Sequence, residues 1–262
     1  MDLRTRVQHI IDELQFRFDV WPTLYYQPLP WLGFDTAKRG AGTVARWTAI
    51  EASIRGLPIN SALDIGCNVG YFCFSLAAQG IPALGIDQDD RFLRIAQHAA
   101  RKLAARHIAA DKVGFCHLTI DRSTVRLLPQ VDLILLLSVW HHWVRAYGLP
   151  TASEMLAAVW AKADQALFFE TGEAEMPPEF GLSMLKISPR DWLEDYLSAI
   201  CADSTVRCLG AFKAFAPRGD ETHAVVHRNL FMISRRSTGA LGAAATLAFH
   251  EFAANLGGEV TA

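Results

Sequence analysis

Asp64, Gly66, Asn68 and Gly70 sit in the stretch Ser61-Ala62-Leu63-Asp64-Ile65-Gly66-Cys67-Asn68-Val69-Gly70-Tyr71-Phe72, an apolar strand that breaks into a glycine-bearing turn and runs on into a helix. Glycine at 66 and 70 lets the backbone bend sharply and come close to a ligand, and Asn68 tolerates a left-handed conformation better than most residues. The first amides of the following helix have no partner within it and point at whatever fills the turn. A nucleoside cofactor fits such a junction. Further on, Ile81-Pro82-Ala83-Leu84-Gly85-Ile86-Asp87 is a short apolar strand ending in a carboxylate that can accept both hydroxyls of a ribose. Asp87 alone would suit NAD equally well, so the turn decides. A dinucleotide site wants G-x-G-x-x-G, whereas here an acid precedes the first glycine and the glycines are not crowded for a pyrophosphate.

The turn resembles motif I of the class I S-adenosylmethionine-dependent methyltransferases, with Asn68 in place of the middle glycine. The resemblance spans roughly residues 43–235. It implies an α/β fold, a doubly wound and mostly parallel seven-stranded sheet with an antiparallel last strand, and S-adenosyl-L-methionine as cofactor. Asp64, Gly66, Cys67, Asn68, Gly70 and Tyr71 would form the binding turn, and Asp87 with Gln88 would meet the ribose. Asp121, after the third strand, would reach the adenine amino group or else cap the turn before Leu127. Ser138, at the end of the fourth strand, completes the cofactor set. Arg46 or Arg39 would hold the cofactor's carboxylate. The turn together with Ser138-Val139-Trp140-His141-His142 looks like the branch that holds tRNA wobble-uridine alkyltransferases, RNA phosphate methyltransferases and enzymes methylating terminal sugars or phosphates of bacterial polysaccharides.

Candidate catalytic groups follow the later strands. His141 and His142 are adjacent, so they cannot share one face of a helix or strand, and no third ligand at metal-like spacing lies near them; no metal site is expected. An imidazole near the methyl donor can take a proton from an attacking hydroxyl, because its pKa lies close to neutral pH. The other reading is that one histidine packs against Trp140 or Trp143 while its neighbour touches the cofactor. Glu170 could bind substrate hydroxyls, orient a histidine, or cap its loop. Lys38, Arg39, Arg46, Lys186, Arg190 and Arg228 could hold a carboxylate or phosphate at the pocket mouth. The expected reaction is O-methylation of a small-molecule or saccharide- or phosphate-bearing acceptor. The alternatives are an RNA-modifying methyl- or alkyltransferase and a non-catalytic cofactor-binding partner. A net charge of −2 counts against RNA.

The elements that must position these groups alternate along the chain. Strands are predicted at 61–65, 82–86, 113–119, 131–138 and 165–170, with helices at 43–55, 70–79, 90–105 and 150–163. A helix at 189–200 and two late strands at 205–212 and 227–234, separated by the turn region Pro217-Arg218-Gly219-Asp220, complete the sheet. The unbroken apolar run Val131 to Ser138 marks a strand buried on both faces. Before this domain, residues 2–20 place Val7, Ile10, Ile11, Leu14 and Phe18 on one helical stripe, expected to cover part of the cofactor domain. Residues 21–40 carry three prolines with Trp21, Tyr25, Tyr26, Trp31 and Phe34, either a lid or an arm packed on the core. Three segments result: an arm at 1–42, the cofactor domain at 43–236, and an Ala/Gly-rich tail at 237–262, helical or partly disordered. With 51% hydrophobic and 20% charged residues the chain can bury one large core. Its five cysteines show no Cys-x-x-Cys pair and are read as reduced packing residues. No signal peptide or membrane span is evident, and a cytoplasmic location is expected; the oligomeric state is left open.

Overall fold

The structure, a computed structural model, describes residues 27–34, 41–104, 112–173, 187–217 and 223–236, with positions 7, 10, 11, 14, 176, 182 and 185. Seven strands, β1 (Ala62–Ile65), β2 (Ala83–Asp87), β3 (Val113–His117), β4 (Val131–Leu137), β5 (Ala163–Glu170), β6 (Ser204–Pro217) and β7 (His223–Arg235), form one sheet in the order β3-β2-β1-β4-β5-β7-β6. The strands β1 to β5 run parallel, and β7 lies antiparallel to both β5 and β6. The seven-stranded, mostly parallel sheet expected from the sequence is therefore present. From β1 the chain winds outward to β2 and β3 on one side and then returns to β4 and β5 on the other. The turns after β1 and β4 consequently part to opposite faces, and a crevice opens at their carboxyl ends.

Helices α1 (Ala41–Ile54), α2 (Tyr71–Ala78), α3 (Asp90–Ala104), α4 (Trp140–Trp160) and α5 (Pro189–Ile200) cover the sheet. Alternation along β4 explains the two apolar layers: Ile134 and Leu136 pack with Trp140, Val144 and Leu156 of α4 and Leu193 and Leu197 of α5. Leu133, Leu135 and Leu137 pack on the other face with Ile50 of α1 and Phe72 and Leu76 of α2. All seven residues of β4 are buried, which is why its sequence carries no polar alternation.

Two expectations are corrected. The helix expected at 150–163 instead starts at Trp140, directly after β4, and is broken at Gly148 (φ 80, ψ 163). Pro150 disfavours the helical conformation just before it, so the segment reads as a loop even though Trp140, Trp143 and Val144 bury one helical face. The last two strands are longer than expected and pair continuously from Ser204↔Arg235 to Pro217↔His223. Because β5 pairs with β7 only from Ala166↔Ser234 to Phe169↔Phe231, the tip of this hairpin overruns the carboxyl edge of the sheet. Val7, Ile10, Ile11 and Leu14 of the N-terminal stripe are helical with exposed side chains, and Phe18 lies outside the described residues. In the aromatic arm, Trp31 packs 5.6 Å from Tyr71 and 5.7 Å from Phe74, the packing alternative. Trp21, Tyr25, Tyr26, Lys38, Arg39, Lys186, the 218–222 turn and the tail from 237 lie outside the described residues. All five cysteines are free thiols. Among the described residues no helix is long and apolar enough to cross a membrane.

Candidate active site

The turn after β1 is held against its neighbours on both sides. Gly66 (φ 79) sits so close to the end of β4 that a Cβ there would come within 2.6 Å of Val139 Cγ2. The amides of Gly66 and Cys67 both donate to Ile86 O, at 2.7 and 3.0 Å, which ties the turn to β2. Asn68 takes the left-handed conformation (φ 53) that a glycine would otherwise supply. Its N–H donates to Asp87 Oδ2 at 2.8 Å, while Asp87 Oδ1 accepts from Asp89 N at 2.8 Å. Each carboxylate oxygen is thereby fixed in direction and still has a lone pair to offer.

Asp64, nearly fully buried, faces the same cleft. Burial, and then the charge of Asp87, push its carboxyl up to about 7, against a smaller opposing effect of the Cys73 thiol. A cation arriving beside it would reverse that cost.

The cleft encloses about 510 Å³ and runs from this turn to the start of α4. His142, Trp143 and Tyr147 line the α4 side, and Phe215 and Arg228 enter from the overrunning β6–β7 hairpin. The two histidines do different things. His141 is buried and its Nδ1 accepts from Gly172 N at 3.0 Å, with Thr171 Oγ1 at 3.3 Å. That bond to a backbone donor assigns the proton of the neutral ring to Nε2. Burial first, then the charges of His142, Arg228 and Arg145, hold His141 well below the usual imidazole range. His142, exposed and with its ring tilted at 37° and 4.2 Å from that of His141, lines the cleft. Partial burial and then Arg145 and Arg228 lower its pKa too, so it is a neutral acceptor at pH 7.

Glu170 is fully buried at the end of β5. Arg46 Nη1 donates to its two oxygens at 2.9 and 3.0 Å and Ser138 Oγ donates at 2.7 Å. The carboxylate thus places two cleft-lining side chains, Arg46 and Ser138, and is not itself among the residues that line the cleft. Of the residues singled out from the sequence, Asp64, Gly66, Asn68, Asp87, Gln88, Ser138, Arg46 and His142 line the cleft together. Cys67 and Tyr71 are buried beneath the turn, and Gly70 (φ 85) starts α2. Asp121 is not brought in: its Oδ1 accepts from the Ser123 hydroxyl at 2.7 Å and from the Thr124 and Ser123 amides at 2.9 and 2.7 Å, the capping alternative, and these bonds hold it at about 2. Leu118, Thr119 and Ile120 line the cleft in its stead. Arg190 is on α5, paired with Glu194 at 3.9 Å. Gln27, Thr43, Phe92, Ala146, Tyr147 and Phe215 were missed, and only the strand-end rule applied to the late hairpin could have flagged Phe215.

A family model described as a methyltransferase domain matches residues 63–167. Those residues carry a methyltransferase domain, and the sheet around them has the fold of the class I, S-adenosylmethionine-dependent methyltransferases. This domain is 31% identical over 140 residues to the Escherichia coli O-antigen chain terminator bifunctional methyltransferase/kinase WbdD, which covers 53% of this chain and 19% of that protein. The chain thus spans about a fifth of the curated relative's length. A solved structure of WbdD superposes with a TM-score of 0.62 at 24% identity, covering 86% of this chain and 47% of that one. Magnesium protoporphyrin IX methyltransferase (ChlM) from Synechocystis PCC 6803 with bound SAM has a TM-score of 0.55 at 18% identity, covering 90% and 98%. Both likenesses speak for the fold. The residues of the methyltransferase domain fit S-adenosylmethionine on this structure's own terms. Gly66 leaves room that a Cβ would fill, the Asp87 oxygens keep lone pairs for a ribose, and the buried Asn68 Oδ1 has no hydrogen-bond partner among the described residues.

Proposed function

We propose that this chain transfers a methyl group to an oxygen of a small-molecule or saccharide-linked acceptor. The observation that carries the reading is one continuous cleft, lined at one end by Asp64, Asn68 and Asp87 and at the other by His142, Tyr147 and Phe215. Asp87 would take the ribose hydroxyls, Asp64 would face the ammonium of the methionine portion, and the turn at Gly66 would lie along the nucleoside. When bound, S-adenosylmethionine supplies a methyl carbon on a positively charged sulfur, so that an oxygen nucleophile forms the C–O bond as the C–S bond breaks and its electron pair returns to sulfur.

His142 is placed to take the proton that an acceptor hydroxyl gives up, because its neutral ring faces the cleft. His141 is a positioning residue: through Gly172 it fixes the first turn of α4 against the end of β5. The cleft walls would hold the acceptor in line, and such alignment supplies much of the rate in a displacement at carbon. The saccharide reading draws support from WbdD, a methyltransferase that its name places on O-antigen chains. Incubation with methyl-labelled S-adenosylmethionine and a panel of oligosaccharides is expected to label a saccharide hydroxyl, with His142→Ala slower by about 10²-fold. Label appearing on RNA alone would overturn this acceptor class, and an unslowed His142→Ala would remove the base.

A further inference from the structure

Two guanidinium groups line the cleft beside the ends of β4 and β5, Arg46 from α1 and Arg228 from β7. Arg46 is held by Gly42 O through Nε at 3.1 Å and by both Glu170 oxygens through Nη1. Among the described residues nothing accepts from its Nη2. Arg228 Nη1 donates to Ser138 Oγ at 2.8 Å and lies 3.8 Å from the same Glu170 oxygen that Arg46 holds. Arg228 Nη2 is 3.5 Å from Phe215 O. Both side chains line the cleft and are only 12% and 6% exposed. Ser138 bridges the pair in a left-handed conformation (φ 62), an uncommon state for a non-glycine residue that its bonds to Glu170 and Arg228 maintain. Among the described residues, the nearby carboxylate of Glu173 is taken up by the backbone and side-chain amides of Asn229.

Buried guanidinium groups fixed by a shared carboxylate, with their planar forks pre-oriented, match the geometry of a carboxylate or phosphate ligand. We infer that Arg46 and Arg228 form a subsite for an oxyanion on the acceptor, a handle distinct from the hydroxyl that attacks. The subsite rests on the methyl-transfer reading above, since it orients that hydroxyl toward the cofactor end. It selects phosphorylated or carboxylated saccharides over neutral ones. The hairpin that overruns the sheet carries Arg228, so this element contributes directly to acceptor choice.

The test is calorimetric titration of glucose 1-phosphate, glucuronate and glucose into the protein saturated with S-adenosylhomocysteine, using wild type, Arg46→Lys, Arg46→Gln and Arg228→Lys. Binding of either anion at least tenfold tighter than glucose, lost tenfold or more in the variants, supports the subsite; which anion binds tells phosphate from carboxylate. Equal binding of the three sugars, or anion binding unchanged in every variant, overturns it. S-adenosylhomocysteine and 5′-methylthioadenosine, which lacks the amino-acid portion, are titrated into each variant as well. Affinities within threefold of wild type for both are expected. A tenfold loss for S-adenosylhomocysteine alone would assign the guanidinium groups to the cofactor's carboxylate and overturn the inference. Failure of the wild type to bind S-adenosylhomocysteine at all would instead strike the methyl-transfer reading. Thermal melts identify any glutamine variant that misfolds by stranding Glu170, and the lysine variants, which keep the charge, then carry the decision.

Discussion

At the scale of single residues, the site is a set of carboxylates and imidazoles whose surroundings assign them different tasks. Asp87 is anchored by two amides, so Asp87→Ala is expected to lower S-adenosylhomocysteine affinity tenfold or more while the thermal midpoint stays within a few degrees. Unchanged affinity would remove it from the ribose. Asp64 carries a pH signature. Its folded pKa of about 7 lies above the 3.8 of an ordinary carboxyl, so the apoprotein binds this proton more tightly than the unfolded chain does. Its contribution to stability is therefore full at low pH and is lost as pH rises from about 4 to about 7. A cofactor ammonium favours the ionised form, so affinity should rise with pH and level off above about 7, with a proton released on binding below that. Titrations in buffers of differing ionisation enthalpy check this, and Asp64→Asn should abolish the proton release. His141 works in the opposite sense: its folded pKa lies below the ordinary value, so stability is present above about 6.5 and falls as pH drops below it. Denaturant melts between pH 7 and 5 should show this loss, and His141→Gln should flatten it. Asp64, Gly66 and Asp87 were legible because glycine and acid at strand ends have few other uses. Asp121 was not, because an acid in a loop caps a turn as readily as it meets a ligand. The division of labour between His141 and His142 depends on which one meets Gly172 N, a contact across thirty residues that spacing does not reveal.

At the scale of elements, the acceptor side is assembled by packing. Gly42 lets α1 lie directly on β6: a Cβ there would run into the backbone carbonyl of Lys213. Gly42→Ala should push α1 off β6, displace Arg46, and cost on the order of 1–3 kcal/mol in denaturant melts. Gly148, with φ 80 and ψ 163, occupies a region nearly closed to residues with a Cβ, so Gly148→Ala should cost a similar amount and disturb the α4 turn that carries Tyr147. Stability unchanged in either variant would show that the neighbouring element yields freely. The parallel strands were legible from their unbroken apolar runs, β4 above all. The early start of α4 was hidden because Gly148 and Pro150 punctuate it, and the extent of the hairpin because its overrunning tip is only half buried and mixes Arg, Lys and His with apolar residues. Those two misread elements supply His142, Tyr147, Phe215 and Arg228, so the acceptor end was the less legible half of the site.

At the scale of the whole molecule, a single sheet packed on both faces holds the two halves of the cleft in register. Leu135, fully buried in the centre of β4, joins the layer under α1 and α2, and Leu135→Ala should cost about 2–5 kcal/mol without selectively altering cofactor affinity. The exposed stripe of Val7, Ile10, Ile11 and Leu14 belongs to no part of this core. The central claim is that the cleft at the carboxyl ends of β1 and β2 takes S-adenosylmethionine and not a dinucleotide. Calorimetric titration of the wild-type protein with S-adenosylhomocysteine and, separately, with NAD tests it most directly. Micromolar binding of S-adenosylhomocysteine with no heat from NAD is the result expected; binding of NAD alone, or of neither, would contradict it.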